Sequence, residues 1–258
     1  MVRFSVLGSG SAGNAVYVET LRSRVLIDAG LSCREVIRRL EHMEVNPGSL
    51  DALIITHEHV DHIKGAGPLA RRLDLPVYIN ALTFRKGMRT LGNLFRPVMI
   101  QTGQTIIING LVIETFTKCH DAADPIGLVV SSEEARLGLV TDLGRSTRLV
   151  EDRLMGCHAL ILESNHDVEM LENGPYPLEV KRRIKGPDGH LSNHQAGELL
   201  KAVCHENLAF VVLAHLSAQN NLPEKAVSTV EDVLMGCGRT ETRVLTSHQD
   251  DPMPMIEL

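Results

Sequence analysis

The sequence predicts an α/β fold in which two mixed β-sheets pack face to face and helices cover their outer sides. Apolar residues recur with a period of two in some segments and of about 3.6 in others, so strands and helices alternate along the chain. Each half of the chain is strand-rich at first and then interleaves strands with helices, which indicates two similar halves. With 258 residues, 43% of them apolar, the chain can bury a sizeable core, and we expect a single domain over residues 1–258.

The first half is predicted to begin with three strands, at 2–7, 14–19 and 24–28. A helix follows, and "SCRE" reads as its capping box, with Ser32 as the N-cap and Glu35 bonding back to it. Next, "ALIIT" is predicted to be a buried strand and "IKGAGPLARRL" to begin a helix. A strand at 76–79 and a helix at 82–91 follow.

The second half is predicted to begin with a strand-rich stretch, 97–141, that has little helical pattern. "SNHQ", which starts at Ser192, is a second capping box. After Asp142 we predict a helix and then a strand at 158–163. A polar segment rich in Pro and Gly follows, and the chain continues with a helix at 193–205, a strand at 209–214 and a helix at 223–235.

The composition argues against several classes of function. The net charge of −6 provides no global basic field for nucleic acid, and aromatic residues, at 3% without Trp, are too few for a base-stacking platform. The first residues contain no long apolar run and no stretch is long enough to span a bilayer, so we expect no membrane association. The five cysteines are scattered and lack a CxxC pair, which indicates reduced thiols and a cytoplasmic protein.

A glycine-rich turn near the start raises the question of a dinucleotide site. "VLGSGSAGNA" reads Gly8-x-Gly10-x-x-Gly13, and Asp28 follows Gly8 by twenty residues, which is the outline of a dinucleotide-binding fingerprint. That fingerprint requires a helix after the glycines, whereas "NAVYVETLRSRVLIDAG" has the pattern of a strand, a turn and a strand. We therefore predict no dinucleotide site, and Asp28 needs another role.

The segment "LIITHEHVDHIKG" carries residues typical of a metal site. His57, Glu58, His59, Asp61 and His62 follow directly on an apolar strand. In an extended segment, side chains two residues apart share a face, so His57 and His59 can bind one ion. Asp61 and His62 lie where a helix begins and can bind a second ion. A polar surface loop is the alternative explanation, but three histidines and two acids within six residues favour metal binding.

This segment resembles the His-x-His-x-Asp-His signature of the metallo-β-lactamase superfamily. Four further motifs of that family have counterparts at the ends of predicted strands, namely Asp28 in "VLIDAG", His120 in "TKCHDAADPIG", Asp142 in "LGLVTDLG" and His215 in "FVVLAHLS". The resemblance covers the chain from Gly8 to about Leu222. It implies that the sheets and helices form a four-layer αββα sandwich.

The same resemblance implies a centre in which two divalent ions share a hydroxide as nucleophile. Its ligands would be His57, His59 and His120 for one ion, Asp61, His62 and His215 for the other, and Asp142 as the bridge. Asp61 would also count among the catalytic residues, and Asp28 would orient a ligand rather than bind metal. Imidazole and carboxylate ligands suit zinc, manganese and iron alike. Oxygen-reducing relatives carry Glu at the second histidine of the signature, so His59 favours hydrolysis.

Two later motifs concern the substrate. Glu163 in "LILESNHD" and His190 in "GPDGHLSNHQAGELL" resemble the Glu and His pair of the ribonuclease Z branch and its phosphodiesterase relatives. The resemblance implies that the Glu orients the His, which protonates the leaving oxygen or steadies the phosphate. A strand-end carboxylate beside a loop histidine is also what a general acid requires. Each residue alone would be better explained as a surface loop residue, but the pair beside the metal motifs favours phosphodiester hydrolysis.

The finer pattern is similar to the YycJ/WalJ-type exonucleases, a stand-alone group within the superfamily. The similar segments are "GSGSAGNAVYVE", "ESNHDVEML", "GHLSN" and "AHLSAQNNLP". This resemblance implies an exonuclease that degrades DNA from the 5′ end. His194 departs from the pattern, because an acidic residue is more usual there. The segment between Asp142 and His190 is too short for the inserted domain of the β-CASP nucleases or the arm of the tRNA-processing enzymes.

Weaker signals indicate substrate contacts. "VKRRIKG" is the only dense basic run, and phosphate binding competes with a solvated helix end as its explanation. The candidate substrate contacts are Lys181, Arg182, Arg183, Ser217 and Asn220. For His166 an additional ligand and a substrate contact are alternatives, and the favoured role is support of a ligand. The alternatives to a DNA exonuclease are an RNA-processing nuclease and a hydrolase of lactone, thioester or β-lactam bonds. The complete ligand set opposes a metal-binding module without catalysis.

Overall fold

Fourteen strands and nine α-helices make up the molecule, in a computed structural model that describes residues 1–258. The strands are β1 (Arg3–Gly8), β2 (Ala15–Glu19), β3 (Arg24–Ile27), β4 (Ala52–Ile54), β5 (Val77–Asn80), β6 (Pro97–Ile100), β7 (Thr105–Ile108), β8 (Leu111–Thr117), β9 (Ile126–Ser131), β10 (Arg136–Val140), β11 (Ala159–Glu163), β12 (Phe210–Ala214), β13 (Arg243–Thr246) and β14 (Ile256–Glu257). The helices are α1 (Cys33–His42), α2 (Val60–Ile63), α3 (Ala66–Leu73), α4 (Ala81–Leu91), α5 (Arg148–Leu154), α6 (Val168–Asn173), α7 (Leu178–Ile184), α8 (Asn193–Val203) and α9 (Pro223–Gly236).

The strands form two seven-stranded sheets with related topologies. The first sheet has the order β14-β1-β2-β3-β4-β5-β6, and the second has the order β13-β12-β11-β10-β9-β8-β7. In the first sheet an antiparallel meander, β1 to β3, continues into parallel strands up to β6. In the second sheet a meander from β7 to β10 continues into parallel strands up to β13. The predicted pair of mixed sheets is confirmed, and both halves follow the same strand pattern.

Three apolar clusters hold the layers together. The largest, of 26 buried residues, draws on strands of both sheets and lies between them. A cluster of 22 residues joins the first sheet to α1 and α3, and one of 20 residues joins the second sheet to α5, α8 and α9. Because successive strand side chains point to opposite faces, Val16 and Val18 enter the central cluster while Tyr17 enters the helix-facing one. Helices therefore cover both outer faces, and the predicted four-layer αββα sandwich is confirmed.

The sequence pattern missed four short elements. Helices α6 and α7 lie in the segment predicted to be irregular, and between them they bury only Leu171, so no apolar period marks them. Strands β13 and β14 are short edge strands. The Ser192 capping box is complete, whereas Glu35 does not bond back to Ser32 and instead forms ion pairs with Arg38 and Arg39. None of the nine helices has the length and apolar composition needed to cross a membrane.

Candidate metal centre

The candidate site lies where the carboxyl ends of parallel strands from both sheets meet. Asp28 follows β3, His57 follows β4, Asp142 follows β10, Glu163 ends β11 and His215 follows β12. Asp28, Asp142 and His215 have left-handed backbone φ values of 59°, 53° and 57°. Non-glycine residues rarely adopt this conformation, which costs roughly 1–3 kcal/mol and is concentrated at functional sites. The chain thus turns sharply at three strand ends and directs these side chains into one cluster.

Three histidines form the first ligand group. His57, His59 and His120 each offer one ring nitrogen, and these atoms all lie within 4.8 Å of one another. His59 Nδ1 lies 3.2 Å from His120 Nε2, and the other nitrogen of each ring faces a backbone carbonyl, of Asp121 and Gly189 respectively. Burial lowers the pKa of His57 well below its usual value and the pKa of His120 to about 4. Both rings are therefore neutral at neutral pH, as metal ligands must be.

Two histidines and two carboxylates form the second ligand group. Asp61, His62, Asp142 and His215 bring four ligand atoms within 4.8 Å of one another. Asp142 Oδ2 lies 3.1 Å from His62 Nε2, and Asp142 Oδ1 lies 3.6 Å from His215 Nε2. The same Oδ1 atom lies 3.8 Å from Nε2 of His120, which belongs to the first group. Asp142 therefore lies between the two groups, where a bridging carboxylate would be required.

Asp28 lies behind the ligand groups and orients two rings. Its Oδ2 accepts hydrogen bonds from His62 Nδ1 and from the Thr56 hydroxyl, both at 2.7 Å. Because the Thr56 proton goes to Asp28, the Thr56 oxygen accepts a hydrogen bond from His57 Nδ1 at 3.0 Å. Both rings thereby keep Nδ1 protonated and present Nε2 to the cluster. An orienting residue would make such contacts, and that role of Asp28 stays a prediction, whereas no pattern pointed to Thr56.

Glu163 is a second buried carboxylate behind the cluster. Its Oε1 lies 2.9 Å from His190 Nδ1 and 2.9 Å from His215 Nδ1. Three backbone amides also donate to this carboxylate, those of Asp142, Leu143 and Leu191. Burial alone would raise the pKa of the Glu163 carboxyl, but the two histidines outweigh burial and lower that pKa below its usual value. Glu163 therefore stays ionised and holds His190 and a candidate ligand at the same time.

The second ligand group is strongly charged. Burial opposes a positive charge on His62, but the carboxylates of Asp142 and Asp28 outweigh burial and raise its pKa to about 10. For His215, burial is again outweighed, by Asp142 and Asp61, and the pKa is raised well above its usual value. Burial would raise the pKa of Asp142, yet His215 and His62 hold it well below its usual range. The positive charges of protonated His62 and His215 thus offset the negative charges of the carboxylates. A bound divalent cation would offset the same negative charges.

Two buried ring nitrogens indicate that the cluster fits metal ions. Nε2 of His57, in the first group, and Nε2 of His215, in the second, are both buried without a hydrogen-bond partner. Leaving a buried polar atom without a partner costs roughly 1–3 kcal/mol. Coordination to a metal ion would give each of these nitrogens a partner. The imidazole and carboxylate donors present are those that zinc, manganese and iron accept.

The glycine-rich turn packs against the same cluster. The backbone amide of Asn14 donates to the Asp61 carbonyl at 2.8 Å, and the Asn14 side-chain nitrogen lies 3.1 Å from His62 Nε2. The Ser9 hydroxyl accepts a hydrogen bond from the His215 amide at 2.8 Å. The turn connects two strands, as predicted, so it lacks the helix that a dinucleotide fingerprint needs. Asn14 and Ser9 thus contact site residues, although the sequence pattern indicated only the glycines beside them.

Lys118 is a buried cation at the centre that was also missed. It is 5% exposed, and its ammonium donates to the carbonyl of Thr141, the residue before Asp142. Burial lowers the pKa of Lys118, against the attraction of carboxylates that include Asp142 and Asp28. Lys118 thus helps to hold the strand end from which Asp142 projects. Its position two residues before His120, in "TKCH", is the signal that could have indicated it.

The predicted basic run forms much of α7 and approaches the first ligand group. Arg183 Nε donates to Asp121 Oδ2 at 2.6 Å, and the Asp121 carbonyl lies 3.2 Å from His59 Nε2. Lys181 donates to a backbone carbonyl on α6, and Arg182 is exposed. The helix that carries this run is therefore tied to the metal-binding segment, and Arg182 has a side chain open to solvent.

The remaining predicted residues line the loops behind His190 and His215. Ser217 is half-buried and accepts hydrogen bonds from Asn220. Asn220 is 0% exposed within this loop, and its contact with substrate stays a prediction. His166 is buried and makes no side-chain hydrogen bond to any candidate ligand. Its backbone pairs with Ser192, beside the loop that carries His190, and support of a ligand by its side chain stays a prediction.

Known proteins share this sequence over most of its length. A sequence model described as a β-lactamase superfamily domain matches residues 23–215. Exodeoxyribonuclease YycJ of Bacillus anthracis is 37% identical over 253 residues, covering 97% of this chain and 96% of the relative. Exodeoxyribonuclease WalJ of Streptococcus pneumoniae is 34% identical over 268 residues, covering 99% of this chain and 98% of the relative.

A solved structure shares the fold. The metallo-β-lactamase fold protein YhfI from Bacillus subtilis superposes with a TM-score of 0.75 over 98% of this chain and 99% of its own, at 16% identity. That likeness shows the architecture, and the matches in sequence show the family. The chain therefore belongs to the metallo-β-lactamase superfamily and, within it, to the group of YycJ/WalJ-type proteins.

Proposed function

We propose that this protein is a dinuclear metal-dependent phosphodiesterase, and that it acts as a DNA 5′→3′ exonuclease in the cytoplasm. The observation that carries the proposal is the position of Glu163, whose Oε1 lies 2.9 Å from both His190 and His215. Glu163 thus contacts both His190, which is partly exposed, and His215, which belongs to the second ligand group. The full-length relatives named exodeoxyribonucleases support DNA as the substrate. The five free thiols support a reducing compartment.

In this proposal both ligand groups bind a divalent ion, which would be zinc, manganese or iron. His57, His59 and His120 would hold one ion, Asp61, His62 and His215 would hold the other, and Asp142 would contribute to both. When bound, such a pair supplies Lewis-acid stabilisation and an activated water. Asp61 is 24% exposed at its side chain, so it also faces the space in which the scissile phosphate would lie. Asp28 and Thr56 keep the rings of His62 and His57 in the tautomer that ligation requires.

His190 is the proposed general acid. Its Nδ1 is held by Glu163, so Nε2 is the nitrogen left to give a proton to the leaving oxygen of the substrate. Its side chain is 20% exposed, which permits contact with substrate, while Glu163 is fully buried and acts through the imidazole. Glu163 Oε1 accepts from Nδ1 and fixes the direction of the ring.

The substrate strand is proposed to meet α7 close to the first ligand group. Arg182 is exposed, and Arg183 lies beside Asp121 and His59, so these cations and Lys181 are placed to contact phosphates. Ser217, on the loop after His215, is the other proposed contact. We also propose that 1–258 functions as one unit, since β14 near the end of the chain pairs with β1 near its start.

The proposal is tested by a digestion panel. Metal-depleted protein is supplied with Mn²⁺ or Zn²⁺ and incubated with end-labelled single- and double-stranded DNA and RNA, and with a lactone and a thioester. We expect mononucleotides to be released from DNA in the 5′→3′ direction only when metal is present. Preferred cleavage of RNA would transfer the proposal to an RNA-processing nuclease. Turnover of the lactone or thioester without cleavage of any nucleic acid would overturn it.

A further inference from the structure

Helix α4 carries a cationic face that the proposed chemistry does not use. Residues 75–113 contain no Asp or Glu, although the net charge of the chain is −6. Within this acid-free segment Leu82, Arg85, Lys86 and Arg89 are exposed and are spaced so that they share one face of α4. The opposite face is buried, through Thr83, Gly87 and Leu91. The exposed face is called the α4 cationic face below.

The cations of this face have no partners within the protein. Arg85, Lys86 and Arg89 form no salt bridge and no side-chain hydrogen bond, whereas on α7 Arg183 pairs with Asp121 and Lys185 pairs with an acid of α6. An anion that binds α7 must therefore compete with carboxylates already present. An anion that binds the α4 cationic face displaces only water and counterions.

The helix is attached to both segments that form the metal centre. A Cβ on Gly87 would lie 2.9 Å from Cδ1 of Ile63, the last residue of α2, so the buried face of α4 packs on the helix of the His motif. Asn80, the N-cap of α4, donates from its side chain to the Asp124 carbonyl at 2.7 Å. Asp124 belongs to the loop that carries His120. The buried face and the start of α4 therefore contact segments that carry candidate ligands, and the α4 cationic face is the solvent side of the same helix.

We propose that the α4 cationic face binds the backbone of a single-stranded polynucleotide whose scissile phosphate lies at the metal centre. This proposal rests on the proposed function, since it names the path of the same substrate. Charge complementarity selects the occupant, because three unpaired cations lie in an acid-free segment and phosphate is the repeating anion of the strand. Phe95, 62% exposed and in the same segment, offers a ring on which a base can stack. An anionic lipid surface is the competing occupant, but α4 exposes only two large apolar side chains, Leu82 and Met88, beside three cations, which favours a charged strand over insertion into lipid.

The test is the variant Arg85→Gln/Lys86→Gln/Arg89→Gln in the full chain loaded with metal. Its readouts are binding of a fluorescein-labelled thymidine oligonucleotide with hydrolysis-resistant phosphorothioate linkages, and hydrolysis of bis-p-nitrophenyl phosphate. We expect the dissociation constant of the oligonucleotide to rise about tenfold and the slope of log K against log salt to fall by about 2, because three phosphate contacts are lost. Hydrolysis of the small ester should be unchanged, since it reaches only the metal centre.

The matched control is Arg22→Gln/Lys201→Gln/Arg239→Gln, which removes three cations that lie outside the acid-free segment. Equal weakening by both variants, or by neither, would overturn the proposal. So would loss of binding to phosphatidylglycerol vesicles in the α4 variant with unchanged oligonucleotide binding. If wild-type protein binds the oligonucleotide through α4 but hydrolyses no phosphodiester, the binding surface stands and the proposed function fails.

Discussion

Two buried carboxylates, Asp28 and Glu163, do similar work in the two halves of the molecule but serve different partners. Asp28 follows β3 of the first sheet and holds His62 directly and His57 through Thr56. Glu163 ends β11 of the second sheet and accepts from Nδ1 of both His190 and His215. Both rings served by Asp28 are fully buried candidate ligands.

The difference concerns His190. It belongs to neither of the two ligand groups, and its ring is partly open to solvent. The same device, a buried carboxylate that fixes a histidine tautomer, therefore builds only the metal centre in the first half. In the second half it also holds His190, the proposed proton donor. Substitutions of Asp28 and of Glu163 should therefore differ in how strongly they lower the turnover of different substrates.

The largest expected effect is the loss of bound metal when one histidine ligand and one carboxylate ligand are removed together. His59→Ala combined with Asp142→Ala deletes a first-group histidine and the proposed bridging carboxylate, so the metal content should fall from the expected two ions per chain to none. Elemental analysis of the soluble variant measures this. His42→Ala with Asp152→Ala, at positions remote from the cluster, is the matched control and should keep both ions. Two ions retained in the first variant would contradict the ligand assignment.

Asp28→Asn and Glu163→Gln test the comparison itself. Loss of an orienting carboxylate typically lowers metal affinity or activity by about 10–100-fold. Asp28→Asn should lower turnover of DNA and of bis-p-nitrophenyl phosphate by the same factor, because it acts only through ligands. Glu163→Gln should affect DNA more, because it also orients His190. Parallel losses on the two substrates in both variants would remove the distinction between the two carboxylates.

The two ligand groups should differ in the pH dependence of metal uptake. In the metal-free protein the pKa of His62 is about 10, so below that pH the ring carries a proton that a metal must displace. Affinity of the second site should therefore rise as pH rises from 6 to 9, by up to about tenfold per pH unit for each proton released. The first site, where the pKa of His120 is about 4, should show little change. Calorimetry in buffers of different ionisation enthalpy counts the protons, and equal release at both sites would contradict this difference.

The smallest effect is expected at the glycine-rich turn. Gly8 to Gly13 connect β1 to β2, and Asn14 contacts Asp61 and His62, so the turn serves the ligands on the side of Asp28. Asn14→Ala should weaken metal binding by about five- to thirtyfold, since it removes two contacts to ligand side chains worth up to about 1 kcal/mol each. Titration with NAD should give no heat of binding, and measurable binding would overturn the structural role of the turn.

Most of the fold could be predicted from sequence because its long elements bury one or two whole faces. Strands such as β11 are continuous apolar runs, and α1 and α8 have strong N-cap signals, at Ser32 and Ser192. The elements that were missed, such as α7 and β13, bury few residues, so their positions depend on tertiary contacts.

The candidate site could be predicted as far as residue types reveal chemistry. Histidines and carboxylates at strand ends stand out by type and spacing, and the structure brings the predicted ligands into two groups. Thr56 and Lys118 act by hydrogen bonds to neighbours, which spacing does not reveal. The α4 cationic face was overlooked because its three cations are spread over five residues, so they do not form a dense run and meet only on the folded helix.

The most direct test of the central claim is the effect of His190→Ala on two substrates with different leaving groups. Metal content should remain that of the wild type. Turnover of single-stranded DNA, whose alkoxide leaves poorly, should fall by about 10²–10⁴-fold, as is typical for loss of a general acid. Bis-p-nitrophenyl phosphate, whose leaving group hardly needs a proton, should lose far less. Equal losses on the two substrates would mean that His190 binds phosphate instead of donating a proton, and undiminished cleavage of DNA would contradict the proposed phosphodiesterase mechanism.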